Sequence, residues 1–465
     1  MGLYQAFADE FILKIKQKQY VSGDRLPSIR RFAAQKQISV NTVVSCYRLL
    51  EQLGYIEAKE KSGYIVLPYV AGSDMPLPKF ASKKVTLHTK ANVDTLATQH
   101  PFERAQASPE LLPTDSLTKS MTNMVRKNAN CVYVYGDVQG ELQLRKSLSQ
   151  HFKQQGFSFS AEQLVINNGC LDSIKLALEI TTAPGDSVAV SSPCFNGLLS
   201  MLAMMKRSVI EIPSNFEGVD LIQVEQLMSE KQIAACLFTA NHHNPQGTSF
   251  PIEQKQTLAK LSNAFDIPII EDDVYQELHF GQVLPLPIKA FDQMGTVIWC
   301  SSISKTLASG YRIGWALPGK YLSDFLQCRV VQSLGVNVPL QLTVSDFIDK
   351  NYYQRHLKRL RLKLAQQVAQ YRQIIAVELG ELDSVHISEP TGGLTLWVYV
   401  KGLAADKLMM SARNHNIEIR AGNLFSTRGF YNSYFRVNVG FPLDESLTGQ
   451  LKQLCHLVNE QFAND

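Results

Sequence analysis

One lysine of this 465-residue chain sits where covalent chemistry is easily arranged. Lys305 lies in Ser301-Ser302-Ile303-Ser304-Lys305-Thr306, directly after the apolar run 296–300. An amine that forms a Schiff base must be held at a strand end and be unprotonated part of the time. The flanking hydroxyls, Ser302 and Ser304 among them, and the downstream cation Arg312 are suited to cradling a phosphate. Asp272 follows the apolar run 267–271, with Tyr275 three residues on. A buried carboxylate beside a pyridine nitrogen keeps that ring protonated, so the ring can act as an electron sink. Asn244-Pro245-Gln246-Gly247 falls in a loop after the run 234–239, where an amide can hydrogen-bond a ring oxygen. Asn167-Asn168-Gly169-Cys170-Leu171 opens a helix, whose first N–H groups and dipole can hold phosphate. Phe195, two residues after Pro193, offers a flat face to a ring. Singly, each has an ordinary reading: Asp272 as a solvated strand end, Asn244 as a turn residue, Phe195 as core. Their shared order and context favour one site.

Positioning these groups requires strand ends that converge. Short apolar runs at 164–167, 187–190, 234–239, 267–271 and 296–300 alternate with amphipathic helical segments, which predicts an α/β fold with a largely parallel sheet. A long helical stretch rich in Arg, Lys and Gln is predicted from about residue 320 to 378. A smaller α+β part follows, with strands at 394–400 and 435–439.

The front of the chain is different. Residues 1–68 hold ten Lys/Arg against six Asp/Glu, which is the whole net charge of +4, since the other 397 residues hold 36 of each. A small basic module on a neutral body suggests a polyanion-binding head. Apolar residues at Tyr4, Phe7, Phe11 and Ile15 mark a first helix. A turn at 22–28 restarts a second helix through 30–36, with Pro27 and Ser28 near its first turn. Ser39 caps a third, and Gly54 ends it. Two β-prone runs joined by Lys59-Glu60-Lys61-Ser62-Gly63 complete a winged helix-turn-helix. On the third helix, Asn41, Ser45 and Arg48 lie opposite Val43, Tyr47 and Leu50, the arrangement a base-reading helix needs. Arg25, Arg30 and Lys61 stand on the turn, the preceding helix and the wing, where phosphates and the minor groove would be met. Residues 69–100, with prolines at 76 and 78 and little periodicity, read as a linker.

Composition narrows the class. At 45% apolar and 19% charged the chain is globular, and it has no apolar run long enough to cross a membrane. The first twenty residues do not have the pattern of a signal peptide. The eight cysteines are scattered, with no metal spacing, which fits buried thiols in a reducing compartment and predicts a cytoplasmic protein without a metal site.

Two resemblances sharpen these readings. Residues 3–67, above all "GDRLPSIRRFAAQ" and the Ser39-x-Asn41-Thr42-Val43 segment, resemble the DNA-binding domain of GntR-family bacterial repressors. Val40 stands where many members carry Arg, so one phosphate or base contact of that family is in doubt here. The resemblance implies DNA contacts from Arg25, Ser28, Arg30, Ser39, Asn41, Thr42, Ser45 and Lys61. Residues 101–465 resemble a fold-type I, pyridoxal 5'-phosphate-dependent class I/II aminotransferase, with a three-layer αβα large domain and a small α+β C-terminal domain. Under that resemblance Lys305 forms the Schiff base, Asp272 partners the pyridine nitrogen, and Asn244 and Tyr275 partner the ring hydroxyl. Phe195 stacks on the ring, while Gly169, Cys170, Leu171, Ser302, Ser304 and Arg312 hold the phosphate. Tyr135, in Tyr135-Gly136-Asp137-Val138-Gln139-Gly140, matches the tyrosine that such dimers lend to the neighbouring subunit. Arg436, in Arg436-Val437-Asn438-Val439-Gly440, matches the arginine that grips a substrate carboxylate. Cys170-Leu171 departs from the more polar residues usual in the phosphate turn, which shifts phosphate binding toward backbone N–H groups, and Gln246 stands where Thr is commoner.

Head, linker (69–100) and aminotransferase-like body (101–465) in this order resemble the MocR subfamily of transcription regulators. The resemblance implies a homodimer that binds an operator of two half-sites and senses an amino acid or amine through aldimine chemistry at Lys305. Two alternatives stay open at this point: a working aminotransferase carrying a DNA-binding head, and a sensor of pyridoxal phosphate itself.

Overall fold

The computed structural model describes residues 3–59, 63–70, 75–87, 100–380, 382 and 384–463. The head is built from α1 (Leu3–Lys16), α2 (Ile29–Lys36), α3 (Val40–Gln52) and the antiparallel hairpin β1 (Ile56–Lys59) and β2 (Gly63–Val66). Its three helices pack around Phe11, Phe32, Val43, Cys46, Tyr47 and Leu50, all buried. Ser28 and Ser39 cap α2 and α3, accepting from Arg31 N at 3.3 Å and Thr42 N at 3.1 Å. Gly54, at φ +73°, closes the third helix in the left-handed region.

The linker carries an element that the sequence did not suggest. Lys84–Thr86 forms β3 and pairs antiparallel with β6 (Ser208–Asn215) at the edge of the large sheet. Phe80 stacks on Phe430 with ring centroids 4.4 Å apart, and Met75 is buried against Trp397 and Phe425. This stretch is strapped to the body.

Between β3 and β6 in chain order come β4 (Val165–Asn167) and β5 (Ser187–Ser192). After β6 come β7 (Gly218–Val219), β8 (Ala235–Phe238), β9 (Ile269–Asp272), β10 (Val297–Ser302) and β11 (Gly314–Leu317). The order across the sheet is β3-β6-β5-β8-β9-β10-β11-β4, with β7 paired to β6. From β6 to β10 all neighbours are parallel, so their C-terminal ends open on one edge. The body's helices before and among these strands are α4 (Thr114–Lys127), α5 (Leu142–Lys153), α6 (Cys170–Thr181), α7 (Asn196–Met204), α8 (Leu221–Ser229) and α9 (Ile252–Phe265).

Strand residues alternate between two cores. Ile270 and Ile298 pack under α6 and α7, while Ile269 and Val297 pack under α8 and α9 on the other face. Helices on both faces make the three layers expected.

The predicted long helix from residue 320 is three helices: α10 (Leu322–Gln332), α11 (Val338–Asp349) and α12 (Tyr352–Leu379). The first break precedes Pro339, which sits in the first turn of α11. The second is at Asn351, which takes a left-handed conformation with φ +58°. The small domain is an antiparallel sheet of β12 (Val385–Ile387), β13 (Thr395–Val400), β14 (Arg420–Ala421) and β15 (Tyr434–Asn438), in the order β12-β13-β15-β14. It packs on α13 (Ala405–Asn414), α14 (Glu445–Ala463) and the second half of α12 through Tyr371, Ile375, Leu408 and Leu451.

Candidate cofactor pocket and DNA interface

The open edge of the parallel strands gathers the reactive groups. Asp272 is the last residue of β9, and Lys305 follows β10 by three residues. Burial and the nearby Arg436 guanidinium lower the Lys305 amine to about 8, against the pull of Asp272 in the other direction. Lys305 Nζ donates to Ala105 O at 2.5 Å, so the segment 101–107 lies across the lysine.

Asp272 is fully buried, and burial raises its carboxyl. The Cys170 thiol donates to Asp272 Oδ1 at 3.3 Å, and together with Lys305 it opposes that rise. The neighbouring acids are spent elsewhere. Glu271 accepts from Ile288 N at 2.8 Å and Lys289 N at 3.2 Å, while Asp273 accepts from Trp299 Nε1 at 2.7 Å and Asn241 Nδ2 at 2.9 Å. Of the acidic run, only Asp272 faces the lysine.

Asn244 precedes Pro245 through a cis peptide bond in a buried loop, and its side chain hydrogen-bonds the Tyr275 hydroxyl. Burial drives that phenol far above its ordinary value. Arg436, on β15, donates from Nη1 to Asn244 Oδ1 at 3.3 Å and from Nη2 to Glu103 O. Its Nε is buried with no partner among the described residues, and burial lowers the guanidinium to about 10. A buried unpaired donor costs free energy that an incoming acceptor would recover.

At the other end of the site, Gly169 caps α6 with φ +96°, where a Cβ would collide with the Arg312 guanidinium. Arg312 donates to Asn168 O at 3.2 Å and Ser304 Oγ at 3.4 Å, and the Ser302 hydroxyl accepts from Ser304 N at 3.3 Å. Phe195 precedes α7 and is half-buried against the core beneath α6. Leu171 is 40% exposed, pointing out of this turn.

Tyr135 does not join the set. It is 85% exposed in a strip with Val132, Tyr133 and Val134. No sequence signal marked Glu103 and Ala105, whose backbone carbonyls meet Arg436 and Lys305 across more than 190 residues.

On the head, Arg25, Ser28, Arg30, Ser39, Asn41 and Ser45 are exposed and Thr42 is half-buried, while Val43, Tyr47 and Leu50 face inward. Ser28 and Ser39 use their hydroxyls as helix caps. Lys61 lies outside the described residues.

Residues 109–448 match the family "Aminotransferase class I and II", and residues 3–66 match "Bacterial regulatory proteins, gntR family". The chain is 33% identical over 475 residues to the HTH-type transcriptional regulator YdcR of Escherichia coli, covering 99% of this chain and 100% of that one. The chain belongs to the GntR-family regulators of MocR architecture.

Other members and neighbours agree. The HTH-type transcriptional regulator NorG of Staphylococcus aureus is 27% identical over 392 residues, 81% of this chain and 86% of its own. The body shares its fold with the multiple substrate aminotransferase from Thermococcus profundus, at a TM-score of 0.72 and 22% identity, over 82% of this chain and 97% of that one. Kynurenine aminotransferase from Pyrococcus horikoshii matches at a TM-score of 0.72 and 22% identity, over 80% and 96%. As a GntR-family regulator the chain binds DNA through its head. Its class I/II body has the fold of a group that generally depends on pyridoxal phosphate. No described helix is long and apolar enough to cross a membrane.

Proposed function

We propose that this GntR-family regulator holds pyridoxal 5'-phosphate in its body and answers an amino acid or amine there by changing how its heads engage an operator. The observation that carries the reading is the convergence of Lys305, Asp272 and Arg436 in one buried cluster, with a lowered amine at one side and, at the other, a guanidinium nitrogen that has no partner among the described residues.

The residues fit the cofactor. The α6 N-terminus, with Gly169 keeping a side chain out of the cradle and Arg312 beside it, suits a phosphate held largely by N–H groups. Cys170 supports that turn through its backbone and turns its thiol to Asp272. Asp272 is the acceptor for a ring N–H, Asn244 and Tyr275 for a ring hydroxyl, and Phe195 supplies an apolar face. When bound, the group supplies a carbonyl that an amine can capture and a ring that withdraws electrons. Lys305 holds it covalently, and its amine is neutral in about a tenth of molecules at pH 7. Arg436 aligns an effector carboxylate with its fork.

The exposed strip at 132–135 is the face of a homodimer in this reading, and Tyr135 serves the neighbouring subunit's phosphate site. Two heads then present themselves to two half-sites. We assign the head to residues 1–68, the linker to 69–100 and the effector-binding body to 101–465, in a cytoplasmic protein. The test is a spectral titration of the loaded protein with a panel of amino acids and amines. One compound giving a stable shift of the visible band supports the sensor. Turnover at an ordinary enzymatic rate with a 2-oxo acid would instead make the body a working aminotransferase.

A further inference from the structure

One carboxylate of the body meets the head at two points. Glu389 lies between β12 and β13, and it bonds the Lys16 amine at the end of α1 and the Tyr69 hydroxyl just past the hairpin. Arg372, on α12, stands 4.0 Å from the same carboxylate. Arg372 also donates to Val70 O and to Ser388 O, each at 2.9 Å, tying the head's exit strand to this loop. Tyr69 is held among Tyr55, stacked at 5.9 Å, and the Arg372 guanidinium at 5.8 Å.

The residues directly after Glu389 reach the pocket. Thr391 N donates to Gly247 O at 3.2 Å, and a Cβ at Gly247 would strike Pro390. Thr391 Oγ1 lies 3.4 Å from His242 Nδ1, and a Cβ at Gly392 would collide with that same ring. Thr395 Oγ1 donates to Pro245 O at 3.0 Å. Residues 242–247 are therefore clasped by 390–395, and Asn244 in their midst bonds Arg436. The close contacts leave little room for one loop to move without the other.

We infer that the segment 388–395 couples the pocket to the head, with Glu389 as the residue through which it grips the head. The inference rests on the pocket reading above and adds the route by which occupancy is felt. A ring hydroxyl that recruits Asn244, like an acceptor that recruits Arg436, competes with the bond between these two side chains. The clasped loop carries that change to the Glu389 carboxylate. Coupling of this kind is reciprocal, so a head held on DNA must also bias the pocket.

The experiment is hydrogen–deuterium exchange on the full chain, free and loaded with pyridoxal phosphate, for the wild type, Glu389→Gln and Lys16→Met. Neither substitution touches the pocket. In the wild type, loading should change exchange in 388–395 and also in 12–20 and 64–70. Loss of a half-buried ionic latch should speed exchange of those head peptides by about fivefold in Glu389→Gln, and less in Lys16→Met. By reciprocity, cofactor affinity in either variant should shift by no more than the factor by which loading changes head exchange in the wild type. In Glu389→Gln the head peptides should no longer respond to loading. A wild-type head indifferent to loading, or a Glu389→Gln head that responds as strongly as the wild type, would overturn the coupling. Failure of the wild type to develop a bound-cofactor absorbance would sink the pocket reading itself and the coupling with it; the latch alone would still be read from the faster exchange of the unloaded variant.

Discussion

Arg436 on β15 donates to Asn244 Oδ1 at 3.3 Å, joining the small domain to the loop that would meet the cofactor's ring. One side chain therefore touches both the place where an effector carboxylate would bind and the place where the ring would be held. The guanidinium is buried, and its Nε has no partner among the described residues, so it is poised for a further acceptor.

Arg436→Lys removes the planar fork and keeps the charge. A charge-assisted carboxylate contact contributes about 1.5–3 kcal/mol, so the affinity for an amino acid effector should fall about tenfold to a hundredfold. Amines without a carboxylate should bind the variant as they bind the wild type. Calorimetric or spectral titration with a matched amino acid and amine checks this, and equal losses for both would count against the assignment.

Covalent capture of the cofactor should depend on pH through the Lys305 amine. The neutral amine is the reactive form, and its midpoint is lowered to about 8. The capture rate should rise about tenfold per pH unit below that point and level off above it. An ordinary exposed lysine would keep gaining to beyond pH 10. Stopped-flow absorbance from pH 6 to about 10 separates the two profiles.

Val134→Asp places a charge in the exposed apolar strip beside Tyr135. The chain should sediment as a monomer and bind pyridoxal phosphate more weakly, because Tyr135 would no longer reach a neighbour. An unchanged mass with unchanged cofactor affinity would remove the strip from the dimer interface.

On the head, Asn41→Ala should cost about 1–3 kcal/mol on the preferred duplex and little on unrelated DNA. Arg30→Ala should weaken binding to both alike and reduce the salt dependence by about one charge. Both residues are exposed, so thermal unfolding should be unchanged. By contrast Tyr47→Ala empties the centre of the head and should destabilise it by about 3–5 kcal/mol.

The legible parts of the site were those fixed by local geometry. Lys305, Asp272 and Asn244 each follow an apolar strand closely, so parallel strands had to bring them to one edge. Gly169 announced a helix N-terminus by its type. What stayed hidden depends on distant backbone. Glu103 and Ala105 contribute carbonyls, which every residue has, so nothing in their types points to Arg436 or Lys305. The three-residue strand β3 has too little pattern to stand out, and it exists because the edge of β6 needs a partner. How Glu271 and Asp273 are spent was not legible in the sequence, since their partners come from residues 241, 288, 289 and 299. The breaks between α10, α11 and α12 fall at Pro339 and Asn351, the first of which was visible and the second a matter of backbone conformation.

We propose that chemistry at Lys305 governs the head. The most direct measurement is the affinity of the full, cofactor-loaded protein for a duplex obtained by in vitro selection on the protein itself, with and without an amino acid that shifts its absorbance. The wild type should change affinity by about fivefold or more, within the usual range of allosteric coupling. Lys305→Ala should bind the bare duplex nearly as well and show no response. A wild type whose DNA affinity ignores a pocket-bound amino acid, or a Lys305→Ala protein that responds like the wild type, would contradict the account.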